Sequence, residues 1–330
     1  MYTYLKLNIF FALLMCLCAG SGQAQKTSSS PKKLTVSQDG KSDYKTIQEA
    51  IDAAAASSPA PVIIKIKNGT YREKLVVPAG ANNLSIVGES KEGTIITFDD
   101  YSGKFMDADT VNNKKKFSTF NSYTMCVHAN NVTLENLTVK NAAGRVGQAV
   151  ALHVDGDKFI AKNCNILGNQ DTIFTGGDTA MEYYSNCYIE GTTDFIFGNA
   201  TVVLQDCIIK SLSDSYITAA STSPSQKFGY VFLNCKLIAS DQVKKEYLGR
   251  PWRPNAKVVF IGCDLGKHIR PEGWHNWGKV ENEATAYYAE YNNKGDGAAT
   301  DKRVAWSHML TEDEAKEYTL ENIFKGWKPL

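Results

Sequence analysis

Five segments of the chain carry one pattern: FIAKNCNILG (159–168), EYYSNCYIEG (182–191), VVLQDCIIKS (202–211), VFLNCKLIAS (231–240) and VFIGCDLGKH (259–268). In each, mainly β-branched or aromatic residues lead to a polar or small residue, a cysteine and another apolar residue. NVTLENLTVKN (131–141) and NLSIVGES (83–90) read as related strands without the cysteine. The cysteine intervals are 23 (187 − 164), 20 (207 − 187), 28 (235 − 207) and 28 (263 − 235) residues. Self-similarity at such a period marks a solenoid. Short strands rich in Val, Ile, Phe and Tyr, punctuated by Gly, Asn and Asp, make its coils β rather than helical. The expectation is an all-β chain wound as a parallel β-helix, with coils stacked at strand spacing, ~4.8 Å. The repeated cysteines then form an internal ladder of small buried hydrophobes. Disulfides between neighbouring coils stay open as the alternative.

A solenoid must cover its ends. Thr46-Ile47-Gln48-Glu49 reads as a capping box opening a helix through Ile51 and the alanines 53–56, whose apolar side plugs the N-terminal coil. Near the other end, TEDEAKEY (311–318) has helical character, and Trp306, Phe324 and Trp327 are expected along the flank. The chain opens MYTYLKLNIFFALLMCLCAGSGQAQ (1–25), with one lysine, an apolar run from Ile9 to Ala19 and a small-x-small pair at Gly22 and Ala24. That is the layout of a signal peptide. The run is shorter than the ~20 apolar residues that a spanning helix needs, so no membrane attachment is expected after cleavage. No linker or charge block divides residues 26–330, and a single domain is expected there. That segment carries 35 basic (36 − 1, for Lys6) and 35 acidic residues. The zero balance argues against nucleic acid or an anionic membrane as partner.

The repeat also places charge. Asp194 in GTTDFIF (191–197) lies seven residues after Cys187, and Asp171 in GNQDTIF (168–174) lies seven after Cys164. The two should stack on adjacent coils, roughly 5 Å apart from strand spacing. Two carboxylates that close do not both ionise comfortably, so one is pushed toward the neutral form. Aligning QAVAL (148–152) with QDTIF (170–174) stacks Gln148 on Gln170, two amide donors suited to an oxyanion. Asp214 also lies seven after its cysteine but sits in SDSYITA, which reads as loop. In LGRPW (248–252), Tyr247-Leu248 aligns with Tyr216-Ile217 and Phe195-Ile196. Arg250 can then hold Asp194 ionised, and Trp252 offers a flat face to a sugar ring.

GTYRE (69–73), QAVAL, QDT (170–172), DFIFG (194–198) and LGRPW, in that order, together resemble the pectin methylesterases (pectinesterases), from about Lys45 to the closing NIFKGWKP. The resemblance implies a right-handed parallel β-helix and an aspartate-based ester hydrolase. Asp194 matches the nucleophile that attacks the C6 methyl ester of galacturonate. Asp171 matches the group that protonates departing methanol and later deprotonates water. Gln170 and Gln148 match the oxyanion donors, Arg250 the partner of the nucleophile, and Trp252 a wall of the sugar subsite. Thr119, in STFNS, and Phe197 fall near family substrate contacts. In GTYRE, Tyr71 and Glu73 are expected to serve the fold. Asn169, Ile173 and Phe174 depart from the family pattern around QDT. The segment YITAAST followed by QKFGYVF looks more like bacterial members than plant ones, and a bacterial protein, secreted or periplasmic, is the expectation.

The implied substrate is methyl-esterified homogalacturonan (pectin). A monomer without metal or cofactor is expected: none of His128, His153, His268, His275 or His308 has zinc-ligand spacing, and no G-x-S-x-G anchors a serine hydrolase. Three other readings remain beside this one. A pectin-active glycosidase or lyase also uses a β-helix, and two carboxyls near 5 Å suit a retaining glycosidase. A non-catalytic polysaccharide-binding β-helix is another. A diverged esterase acting on a different ester lies between.

Overall fold

Each repeat contributes one strand to each of two sheets, with the residue before the cysteine at the bend. In the computed structural model, which describes residues 30–106 and 115–329, Phe159–Lys162 lies in one sheet and Asn165–Leu167 in the next. Asn163 between them has φ +51°, and Asn186, Asp206, Asn234 and Gly262 repeat that conformation at +53°, +54°, +54° and +65°. This left-handed region is costly for most L side chains and open to Asn, Asp and Gly. The "polar or small" position of the pattern is therefore a backbone requirement.

Among the described residues the chain winds through three parallel sheets of eleven, eight and seven strands, each sheet drawing neighbouring strands from successive coils. The result is a right-handed parallel β-helix. Its interior is built of ladders of equivalent residues. In the eight-stranded sheet, Ile96, Val139, Ile166, Ile189, Ile209, Leu237 and Leu265 stand in register and are buried. Each such side chain contributes ~1.5–3 kcal/mol by leaving water. The cysteines line the adjoining corner and are free thiols. Cys187, Cys207, Cys235 and Cys263 point Sγ at carbonyls of the preceding coil, those of Ala161, Tyr184, Leu204 and Phe232, at 3.2–3.6 Å. They pack as small hydrophobes with weak donors, and no disulfide joins them. Cys126 stands apart, on the strand Met125–Val127 of the seven-stranded sheet.

The expected helix α1 spans Ile47–Ala55, with both bonds of the Thr46/Glu49 capping box formed and with Ile47, Ala50, Ile51 and Ala54 buried against the core. Its N-terminus is held by GTYRE. The Glu73 carboxylate accepts from the N–H groups of Ile47 (3.0 Å) and Gln48 (3.1 Å), and the buried Tyr71 donates to the Lys67 carbonyl at 2.9 Å. The Gln48 amide then pairs with the backbone of Val76, donating to its carbonyl (3.0 Å) and accepting from its N–H (2.9 Å). Val76 belongs to the edge strand Leu75–Val77 of the seven-stranded sheet, so one side chain occupies the place of a further strand.

At the far end, helix α2 covers Glu312–Lys316, inside the predicted segment. Phe324 and Trp327 pack with Tyr183, Val203 and Val231 on the flank, as expected. Trp306 differs: it packs on the main core, its ring 5.6 Å from that of Tyr288. Pro31–Leu330 forms one compact unit, and the expected leader lies outside the described residues.

Because no other described residue accepts from these two helix donors, Glu73→Ala should lower the unfolding free energy by about 1–2 kcal/mol, the usual worth of a lost cap. Urea denaturation measures it. A change below about 0.5 kcal/mol, the scale of ordinary surface substitutions, contradicts the capping role.

Candidate active site

The strands of the seven-stranded sheet alternate sides. Leu152, Ile173 and Ile196 stand in register facing the core, while their neighbours His153, Phe174, Phe197 and Ala219 form an outward ladder. Asp171 and Asp194 each precede their strands, Ile173–Thr175 and Ile196–Gly198, by two residues, and the pairing of Ile173 with Ile196 stacks them on adjacent coils. Both backbones are left-handed, at φ +62° and +49°, a conformation that Asp tolerates and that recurs at functional sites. Asp214 shares only the cysteine spacing. Thr218 lies eleven residues after Cys207, whereas its partner Ile196 lies nine after Cys187. The longer coil leaves Asp214 exposed, accepting from the N–H groups of Lys244 and Lys245.

Two registers differ from the sequence reading. Gln148 does pair with Gln170, but Leu152 pairs with Ile173 rather than Phe174. The extra residue is absorbed where the N–H groups of Ala151 and Leu152 both donate to the Thr172 carbonyl, at 2.8 and 3.2 Å, the geometry of a bulge. Likewise Tyr247 pairs with Tyr216, but Ile196 pairs with Thr218. Tyr216 therefore lies opposite Asp194, whose N–H donates to its carbonyl at 2.7 Å, and not opposite Phe195.

The shift puts a tyrosine under Arg250. The guanidinium lies 3.8 Å from the Tyr216 ring centre and 3.7 Å from that of Trp277, held between two aromatic faces. From there it grips Asp194 with both arms, Nε donating to Oδ1 at 2.9 Å and Nη2 to Oδ2 at 2.6 Å. Gly249 allows the approach: a Cβ there would meet Thr218 Oγ1 at 1.9 Å. Burial pushes the Asp194 pKa up, opposed by the hydrogen bond and charge of Arg250. Asp171 has no hydrogen-bonded partner on its carboxyl among the described residues. Burial, and then the charge of Asp194, push it up to about 8 against the pull of Arg250. The pair thus sorts into a charged Asp194 and a protonated Asp171 at neutral pH.

Thr119, Gln148, Gln170, Asp171, Asp194, Phe197, Arg250 and Trp252, all singled out in the sequence, line one cleft of about 260 Å³. The half-buried amides of Gln148 and Gln170 make no side-chain hydrogen bond to described residues, so their donors are free for a ligand. Phe120, Phe174, Phe197 and Trp252 run across the cleft in ring-to-ring steps of 5.2, 5.1 and 5.9 Å. The sequence reading missed Phe120 and Trp277, which also line it. Phe120 adjoins Thr119 on a short 3-10 turn, and Trp277 sits in a turn at φ +65°; neither falls in a repeat.

The family model for pectinesterase matches residues 33–327. The chain belongs to the pectinesterase family. It is an enzyme, a carboxylic ester hydrolase. Pectinesterase 31 of Arabidopsis thaliana is 38% identical over 87% of this chain and 90% of its own length. The solved pectin methylesterase from carrot is 34% identical, with a TM-score of 0.80 over 91% of this chain and 95% of that one. A solved pectin methylesterase in complex with a hexasaccharide is 30% identical, with a TM-score of 0.76 over 92% and 99%. The expectation of a bacterial protein is overturned: the curated pectinesterases that match include those of the plants Arabidopsis thaliana, Petunia integrifolia and Solanum lycopersicum. The YITAAST and QKFGYVF segments run into the strands Tyr216–Ala220 and Tyr230–Leu233, where coil packing constrains the residue types.

An unfolded aspartate loses its proton near pH ~4, whereas Asp171 keeps it to about 8. Between those values the folded state binds the extra proton, so this group's stabilisation is complete below the lower value and lost as pH rises through the upper one. Asp171→Asn removes that slope. The variant should melt several degrees above wild type at pH 8 and equally near pH 4; an equal midpoint at both values refutes the assignment. Glu246, buried and pushed up to about 9, leaves a residual slope in both proteins.

Proposed function

We propose that this pectinesterase hydrolyses the C6 methyl esters of homogalacturonan through an aspartyl nucleophile, yielding pectate and methanol. The observation that carries the reading is the stacked carboxyl pair, one member clamped by Arg250 and the other buried without a hydrogen-bonded partner among the described residues, lining one cleft with two free amides. An Asp194 oxygen attacks the ester carbonyl carbon, and the oxyanion of the tetrahedral intermediate takes hydrogen bonds from Gln148 and Gln170. Asp171 gives its proton to the methoxy oxygen as that C–O bond breaks, and methanol leaves an acyl–Asp194 anhydride. Asp171, now charged, takes a proton from water while the hydroxyl adds to the acyl carbon. Collapse expels the Asp194 carboxylate and restores both groups.

Arg250 serves this cycle twice: it keeps Asp194 ionised for attack and stabilises it as a leaving group. The aromatic line from Phe120 to Trp252 suits a polysaccharide's apolar ring faces, and Thr119 adds a hydroxyl at the cleft. The relative with a bound hexasaccharide supports an oligosaccharide in the equivalent groove.

Methanol release from esterified pectin tests the reading. Asp194→Ala should abolish it while the protein stays folded by circular dichroism; retained release defeats the assignment. Release of acid from another ester, but none of methanol from pectin, would place the chain with esterases of different substrate. Arg250→Lys keeps a charge but loses the two-armed grip and should lower kcat by ~10–100-fold. Single-turnover rates should rise as Asp194 ionises and fall above about pH 8 as Asp171 loses its proton. A rate still climbing at pH 9 excludes Asp171 as the acid.

A further inference from the structure

The outward ladder that carries Phe197 and Phe174 continues onto two earlier strands as His153 and Cys126. His128 follows Cys126 by two residues, and Asp155 follows His153 by two. The four side chains converge. His128 Nδ1 lies 3.0 Å from Asp155 Oδ2, Cys126 Sγ lies 3.3 Å from His128 Nε2 and 4.0 Å from its Nδ1, and His153 Nε2 lies 2.9 Å from the same Asp155 oxygen. We propose that Cys126, His128 and Asp155 form a binding site for one zinc-class divalent cation, with His153 orienting the carboxylate and a fourth position open to water.

The donor set carries the choice of ion. One sulfur, one imidazole nitrogen and one carboxylate oxygen suit a borderline-soft ion that takes tetrahedral N, S and O ligands, and not the all-oxygen shells of calcium or magnesium. Metal–ligand bonds of 2.0–2.3 Å put tetrahedral ligands roughly 3.5 Å apart, and a group whose ligand atoms all lie within 4.8 Å of one another closes to that with small rotations. Binding transfers the Cys126 thiol proton to solvent as the sulfur–metal bond forms. Thiolate and carboxylate together then neutralise the ion's two charges. His128 and Asp155 are 41% and 38% exposed, which gives entry from solvent, while Cys126 closes the site from beneath. The His153 bond to the ligating carboxylate is the outer-shell support such sites use. The His153 ring lies 4.6 Å from Phe174, itself 5.1 Å from Phe197, so the bound ion braces the aromatic line at Phe174 without touching Asp171 or Asp194.

Full-length protein freed of metal and titrated with Co²⁺ tests the site. One equivalent should bind with a near-ultraviolet thiolate-to-cobalt charge-transfer band, release one proton and be displaced by Zn²⁺. Zn²⁺ should also raise the melting temperature. Cys126→Ser should abolish the band, and His128→Ala and Asp155→Asn should each weaken binding at least tenfold. The last two positions are partly exposed and carry the test if the buried serine disturbs folding. Asp194→Ala should retain the band, which separates this site from the esterase assignment. Absence of cobalt uptake in wild type, a band that survives Cys126→Ser, or unchanged affinity in both surface variants overturns the proposal. A hydrogen-bonded cluster that takes no ion would give the first of these results.

Discussion

Parallel pairing between successive coils places every residue one strand spacing, ~4.8 Å, from its counterpart on the next turn. Inside the solenoid this stacks like on like to advantage, as in the ladder from Ile96 to Leu265. On the outer face the same rule stacks Asp171 on Asp194, an arrangement that would be costly with both charged. The site follows from how the protein resolves that conflict. One carboxyl is left buried without a donor and holds its proton, while the other receives a guanidinium.

Arg250 is the resolving element, and several separate features position it. Its carbon lies under 4 Å from the rings of both Tyr216 and Trp277, which limits its hydration and strengthens its pull on Asp194. Gly249 lets its strand come close to Thr218, and the Arg250 N–H donates to the Thr218 carbonyl at 2.9 Å. The charge that keeps one aspartate ionised is thus set by backbone pairing and aromatic packing as much as by the ion pair itself.

Much of this was legible in the sequence because a solenoid writes its geometry as a period. The cysteine spacing located the coils, the capping box located α1, and equal offsets from Cys164 and Cys187 located the stacked aspartates. What escaped breaks the period. The bulge at Ala151 and Leu152 slips one register by a residue, and the longer coil after Cys207 slips another, so spacing misplaced Tyr216. Trp277 and Phe120 come from turns that repeat nothing. The Cys126, His128 and Asp155 group was invisible to a search for linear zinc motifs, because two members lie two residues apart at the end of one strand and the third sits a whole coil later.

The Gln48 amide bonded to the backbone of Val76 has a consequence for assembly. A parallel stack has no intrinsic length: its terminal strand offers an unpaired backbone edge that a second molecule can extend, and repetition of that step produces a filament. By spending one side chain on both hydrogen-bonding groups of Val76, and covering the neighbouring core with the apolar side of α1, the protein terminates the lattice of its own strands. At this edge the seven-stranded sheet is closed to a further strand rather than left as the first layer of a fibre.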